Sequence, residues 1–421
     1  MTVSGQSSVV YSYDNANRLT QITQGSSIVS FTYDVAGRRE TLTLPNGVLI
    51  DYDYDGASRV TKITYKKGVT VLGDLTYTYD KAGNRTKTGG SFARTGIPSA
   101  ITSATYNAAN QQTALGGKTM TFDNNGNLTG ITDASGTTIY SWNARNQLTG
   151  ISGPGVSAAF VYDGLGRREK KTVNSSLTEF LHDGVNPVQE TSGATVLANI
   201  LPGLDIDEFL TRTDAGAGVT SNFLTDALGS AVALADSAGT VQTEYTYEPF
   251  GKTTATGVSN TNPFQYTGRE NDGTGLYYYR GRYYHPGLQR FISEDPIGFR
   301  GRDWNLFAYV FNNPLLFIDP FGFDKCKKLN CDPEPSCKTM NCEPKPPPPE
   351  PPCKTPRECF NPPGPAQPEP EIKESDESVG CSVMTIICVL ADVDNFYCKL
   401  FRAGCQSLDD ALKRKGGTQS R

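Results

Sequence analysis

The chain repeats one short device. An aromatic residue is followed by Asp or Asn at Tyr13-Asp14, Tyr33-Asp34, Tyr54-Asp55, Tyr79-Asp80, Tyr106-Asn107, Phe122-Asp123, Trp142-Asn143 and Tyr162-Asp163. About two variable residues later comes Gly or Asn in all but the Tyr54 unit, and then Arg, Asn or Gln. The last three units start twenty residues apart, while earlier spacings vary, as loops of unequal length would make them. Such repetition restricts a chain to architectures in which each unit pairs with its neighbours.

Each unit reads as a β-hairpin. Val29, Phe31 and Tyr33 alternate with polar residues, as do Ile50, Tyr52 and Tyr54, and Leu75, Tyr77 and Tyr79. A period of two marks a strand with one buried face. Asp34 can accept a bond from the backbone two residues on, and Gly37 can take positive φ. Residues 34–37 therefore predict a turn, and residues 38–42 the returning strand. Asp80 with Gly83, Asp123 with Gly126 and Asp163 with Gly166 repeat the device. A lone hairpin is marginal in water, but hairpins stacked edge to edge make one long sheet. Twenty-one tyrosines and 43 glycines beside four methionines also favour strands and turns over packed helices. Residues 8–323 are thus expected to be mainly antiparallel strand. The structural role of the aromatic-Asp pairs is that tyrosines pack and aspartates turn the chain; sugar binding through stacked tyrosines is the functional alternative.

At 421 residues the chain is long enough for a large core and more than one unit. A formal net charge of -5 leaves the core without a basic footprint for nucleic acid. The longest basic cluster is Lys413-Arg414-Lys415 at the tail. No apolar run approaches the roughly 18 residues needed to cross a bilayer. The opening residues Met1-Thr2-Val3-Ser4-Gly5-Gln6 lack a signal pattern, so Sec export of the chain as written is unsupported. The first repeat begins almost at once, which suggests a fragment or a displaced gene end.

Residues 224–323 carry a denser pattern. It runs Phe264-Gln265-Tyr266-Thr267-Gly268-Arg269-Glu270, then Gly275-Leu276-Tyr277-Tyr278-Tyr279-Arg280-Gly281-Arg282-Tyr283-Tyr284, then Arg290-Phe291-Ile292-Ser293-Glu294-Asp295-Pro296-Ile297-Gly298-Phe299. It closes with Asn312-Asn313-Pro314 and Asp319-Pro320-Phe321-Gly322-Phe323. This run resembles the core of Rhs (rearrangement hot spot) proteins, the bacterial YD-repeat toxins, and the units upstream resemble their YD repeats. The resemblance implies sheets that spiral into a hollow shell, a self-cleavage point and a variable C-terminal segment. About eight repeats are few for closing a shell, so a partial shell or an open spiral sheet is expected. Two departures stand out. Ala227 occupies a position where the family commonly has His, and His285-Pro286 one where it often has Asp-Pro.

Asp295-Pro296-Ile297-Gly298 and Asp319-Pro320-Phe321-Gly322 are near-copies. A lone Asp-Pro is ordinary turn chemistry. Two copies inside the family match resemble the paired motifs of an aspartyl self-cleaving site. The resemblance implies a cut after a large apolar residue, here between Phe323 and Asp324. The family usually has Leu there, whereas both motifs here end in Phe, at Phe299 and Phe323. Two close carboxylates cannot both ionise easily, so the pair shares a proton. The ionised member can take a proton from water while the neutral one polarises the scissile carbonyl. Asp295 and Asp319 are the candidate pair, with either role open to each. Arg282 or Arg290 is the candidate for setting the local charge or holding the scissile strand. The two histidines, His182 and His285, have no matching Ser or Cys motif, which argues against a histidine-based hydrolase.

All ten cysteines lie beyond residue 323. The organisation expected is a YD-repeat sheet over 8–190, an Rhs core over 191–323, a Pro/Cys-rich and partly disordered linker over 324–378, and a small variable segment over 379–421. Cys381 and Cys388 lie seven apart, as do Cys398 and Cys405, about two helical turns each. Two short antiparallel helices bridged as Cys381–Cys405 and Cys388–Cys398 are expected in an oxidising compartment. Zinc is the weaker alternative, because the spacings exceed two residues and no histidine lies there, and free thiols are a third. No metal or cofactor is indicated, and the tail holds no recognisable catalytic constellation. The functional expectation is the end of a polymorphic toxin, a β-shell enclosing its own tail and releasing it by aspartyl self-cleavage. Its partners would be that cleaved tail, an immunity protein and a secretion-system component. It would be bacterial, cytoplasmic before delivery and secreted or surface-bound by a non-Sec route. The alternative is a non-enzymatic module that binds carbohydrate or protein.

Overall fold

The protein is described by a computed structural model covering residues 1–323 except Ser4. Asp324, Cys381, Cys388, Cys398 and Cys405 lie outside the described residues, and so do the linker and the variable segment.

The fold is built almost wholly from antiparallel strands in three sheets of eight, sixteen and four, and every hydrogen-bonded neighbour is also a neighbour in sequence. The first sheet spans residues 9–89, the second 104–257 and the third 270–291. The expected turns form as read. Asp34 Oδ1 accepts from the amides of Ala36 and Arg38, each at 2.9 Å, and Gly37 sits at φ 77°. Arg38 Nε closes the turn by donating to Asp34 Oδ2 at 2.7 Å. Asn17, Ser58 and Asn146 take the positive-φ position where glycine is missing.

The repeat aromatics do more than fill the core. The Tyr33 hydroxyl donates to the Leu19 carbonyl, Tyr54 to Arg39, Tyr79 to Val60 and Tyr162 to Leu148, while the Trp142 indole donates to Leu128. Each aromatic thus ties its own hairpin to the one before. The turn arginines complete the tie: Arg18, Arg38 and Arg59 lie over the rings of Tyr33, Tyr54 and Tyr79 at 4.8, 4.5 and 4.7 Å. The register also slips by one residue at each aromatic, between Thr32 and Tyr33 and again between Ser141 and Trp142. A bulge in every unit adds twist, which lets a long sheet curve.

One expectation needs correcting. The hairpins do not run as one sheet. Gly90, at φ 100°, turns the chain so tightly that a Cβ there would lie 2.4 Å from the Asp74 carbonyl oxygen. Phe92 then seats on Gly73, and Gly96 N–H donates to the Tyr247 carbonyl at 2.8 Å, so the chain leaves the first sheet for the second. Residues 190 and 191 lie within one strand of the second sheet. Strands Asn186–Ser192 and Thr195–Pro202 are adjacent in the second sheet.

Packing explains the long apolar runs. Strands Thr195–Pro202, Phe209–Asp214 and Val219–Thr225 bury both faces over Ile200 to Pro202, Phe209 to Arg212 and Asn222 to Leu224. Leu201, Leu210 and Leu224 pack against Ile22, Ile50 and Ile63 of the first sheet. Their neighbours Ile200, Phe209 and Phe223 point the other way, toward Phe264. The third sheet does the same with tyrosines. Tyr278 and Tyr283 pack on Leu148, Ile151 and Phe160, whereas Tyr277, Tyr279 and Tyr284 join Phe291 and Tyr309. A sheet covered on both sides loses the apolar-polar alternation of a half-exposed one.

Candidate functional site

The two Asp-Pro motifs meet at one guanidinium. Arg282 opens strand Arg282–His285 in the third sheet and is buried. Its Nη2 lies 3.1 Å from Asp295 Oδ2 and 3.6 Å from Asp319 Oδ2. Its Nη1 donates to the Leu306 carbonyl at 2.9 Å, its Nε donates to the Gly322 carbonyl, and its plane rests 3.7 Å from the Phe291 ring centroid. Five contacts leave this side chain little freedom.

Turn chemistry and site chemistry coexist in each aspartate, one oxygen apiece. Asp295 Oδ1 accepts from Ile297 N–H at 3.0 Å. Asp319 Oδ1 accepts from Gly322 N–H at 2.7 Å and Phe323 N–H at 3.0 Å, folding residues 319–323 back on their own carboxylate. In both, the Oδ2 atom is the one that faces Arg282. Burial pushes the Asp319 carboxyl up to about 6; Arg282 and the two backbone N–H groups oppose the shift, and Asp295 adds to it. Burial also lowers the Arg282 guanidinium, against the pull of both aspartates.

The Phe323 carbonyl belongs to this group. A Cβ built on Gly301 would sit 2.8 Å from Asp295 Oδ2 and 3.1 Å from the Phe323 carbonyl oxygen. Gly301 therefore leaves open the space between a carboxylate and that carbonyl. A cavity of about 20 Å³ lies there, lined by Arg282, Asp295, Gly301, Leu306, Asp319 and Phe323, with room for one water molecule. The arrangement can position a water, a shared proton and a backbone carbonyl together, which is what peptide hydrolysis by a carboxylate pair requires.

Arg290 lies elsewhere. Its Nη1 donates to the Asn110 carbonyl at 2.9 Å and its guanidinium covers the Tyr106 ring. His285 is half-buried, its imidazole lowered to about 4 by desolvation, and its Nδ1 accepts from the Leu288 amide. His182 is lowered to about 4 by the same cause. Ala227 is buried, and its amide donates to the Tyr77 hydroxyl at 3.2 Å.

Sequence reading missed how the segment after Asp319 is held. Arg280 Nη1 donates to the Pro320 carbonyl at 2.6 Å, and Gly281 N–H donates to the Phe321 carbonyl at 3.0 Å. Arg280 is itself fixed by Asp207, which also binds Arg269. The clustering of Arg280, Gly281 and Arg282 was the available signal. Among the described residues no group of His, Cys, Asp and Glu could hold a metal ion.

A family profile described as the teneurin YD-shell matches residues 50–314, and one described as the RHS repeat matches residues 13–49. The chain belongs to the teneurin YD-shell family. Its relatives in this Rhs and YD-repeat group include the tRNA3(Ser)-specific nuclease WapA of Bacillus spizizenii, 33% identical over 260 residues. That match covers 59% of this chain and 11% of WapA, so the chain spans about a tenth of that relative's length. The double-stranded DNA deaminase toxin A of Burkholderia cenocepacia is 30% identical over 198 residues, covering 40% of this chain and 14% of that protein. The crystal structure of TcdB2-TccC3-Cdc42 superposes with a TM-score of 0.57 at 21% identity, over 75% of this chain and 20% of that one. This YD-shell chain therefore shares its fold with toxin shells, and no helix among its described residues is long and apolar enough to cross a membrane.

Proposed function

We propose that this chain is part of an Rhs-type polymorphic toxin that cuts itself between Phe323 and Asp324 and so frees the segment beyond. The observation that carries the reading is the meeting of Asp295 and Asp319 at Arg282, beside a small cavity that Phe323 also lines, with Asp295 Oδ2 and the Phe323 carbonyl oxygen both next to Gly301. In this reading Asp319, whose carboxyl is pushed up to about 6, supplies the proton, and Asp295 takes one from the water. Arg282 is the positioning residue, joining both carboxylates to the Gly322 carbonyl. The proposed partners are the freed segment, an immunity protein that restrains it and a delivery component, with non-Sec secretion from a bacterium. The carbohydrate-binding alternative draws no support from Tyr33, Tyr54 and Tyr79, whose hydroxyls donate to strand carbonyls. Intact mass measurement of the purified full chain tests the proposal. Two pieces that meet at residue 323 are expected; a chain that stays whole overturns it.

The pH dependence has a definite sign. Asp319 keeps its proton below about pH 6 and loses it above, because its carboxyl is raised rather than depressed. Cleavage that uses this proton slows as pH rises, by roughly tenfold per unit well above the pKa. Freshly translated chain chased at about pH 6 and at about pH 8 is expected to cut faster at the lower value. The opposite order would remove Asp319 as the acid.

A further inference from the structure

We propose that Gly281 selects the residue before the cut, its missing side chain forming the seat for the Phe323 ring; this rests on the cleavage reading above. The outer edge of the ring lies against Gly281. A Cβ built there would fall 2.1 Å from Phe323 Cε1, 2.2 Å from Cζ and 2.8 Å from the Phe321 carbonyl oxygen. Gly281 is not among the glycines at positive φ, so the backbone itself accepts alanine and the requirement is for space.

Residues 280–282 hold the segment in register, one carbonyl each. Arg280 takes the Pro320 carbonyl, Gly281 the Phe321 carbonyl and Arg282 the Gly322 carbonyl. The next position along is Phe323, and it is anchored by its ring as well as by its N–H to Asp319. Ring seat and carbonyl therefore move together. A methyl group at residue 281 would lift the ring and shift the Phe323 carbonyl relative to Asp295, which it faces across Gly301. A smaller side chain at 323 would clear the two closest contacts of the methyl and restore part of the approach, the 2.8 Å contact with the Phe321 carbonyl oxygen remaining. On the open Gly281 floor, the same smaller side chain would sit loosely.

The experiment measures self-cleavage rates of the full chain, translated in a cell-free system and chased, with the new N-terminus sequenced. Gly281→Ala is expected to cut about 10²-fold slower than the parent, the cost of a misplacement near 1 Å. Phe323→Leu alone should also be slower than the parent, and the double variant Gly281→Ala with Phe323→Leu faster than Gly281→Ala. A general loss of structure would not be rescued by a second core-trimming substitution. If Gly281→Ala does not fold, Phe323→Leu in the parent still decides, because the Gly281 seat predicts that Phe outpaces Leu. The inference is overturned if Gly281→Ala cuts at the parent rate, if Leu fails to rescue it, or if Leu matches Phe in the parent. A parent chain that is never cut removes the cleavage reading and this inference with it.

Discussion

Asp295→Asn and Asp319→Asn chains are expected to remain whole under conditions that split the parent. Both substitutions keep shape and one accepting oxygen, while the oxygen that faced Arg282 becomes an amide NH2 that cannot accept from it. An asparagine oxygen at 295 can still accept from Ile297 N–H, and one at 319 from Gly322 and Phe323 N–H. The turns that place the Phe323 carbonyl should therefore survive. Lost is the capacity to hold and release a proton between two oxygens that face one arginine. Removing a general acid or base typically costs about 10²–10⁴-fold, enough to leave a freshly made chain uncut over hours. Intact mass of each variant beside the parent reads the result. If both variants are processed like the parent, the carboxylate pair is not the protease.

Replacing Arg168 should be the most damaging single change outside that site. Arg168 leaves strand Arg168–Val173 of the second sheet and reaches the third, with Nη1 2.6 Å from Asp272 Oδ2 and Nη2 2.6 Å from Glu270 Oε2. Its own backbone N–H donates to the Tyr278 hydroxyl, and its guanidinium lies 4.1 Å from the centroid of that ring. The Arg168 and Asp272 side chains are 1% and 0% exposed, so neither has water to fall back on. Burial pushes the Glu270 carboxyl up, but Arg168 and Lys171 outweigh it and hold it below the usual range. Arg168→Met would leave two buried carboxylates sharing Lys171, at a cost of about 3–5 kcal/mol. The measurement is urea unfolding in the Asp319→Asn background, where cleavage cannot blur the transition. A double variant that also carries Asp272→Asn should recover much of the loss, because it leaves Glu270 paired with Lys171 and removes the carboxylate in excess. A change below about 1 kcal/mol for Arg168→Met alone would show that the network is replaceable.

The sequence by itself determined what is local. Asp34, Gly37 and Arg38 meet within five residues, so their hydrogen bonds follow from spacing and backbone geometry alone. The alternation of Val29, Phe31 and Tyr33 likewise names a strand and its inner face before any partner is known. The family resemblance pointed to the Asp295 and Asp319 motifs because it fixes residue types, not positions in space. The tertiary structure alone decided the rest. Gly90 and Phe92 end the first sheet because the turn presses on Asp74 and the ring needs the bare backbone of Gly73, contacts no repeat pattern encodes. Arg282 and Arg290 were equal candidates by charge. Their separation came from placement: Arg282 lies on a buried strand facing both aspartates, whereas Arg290 reaches across to Tyr106. Gly281 and Gly301 carry no chemistry of their own, so their importance appears only when the Phe323 segment folds back and needs the space. Hydrogen bonds within a turn are set by covalent spacing, but the meeting of distant groups is set by packing, which a linear chain does not display.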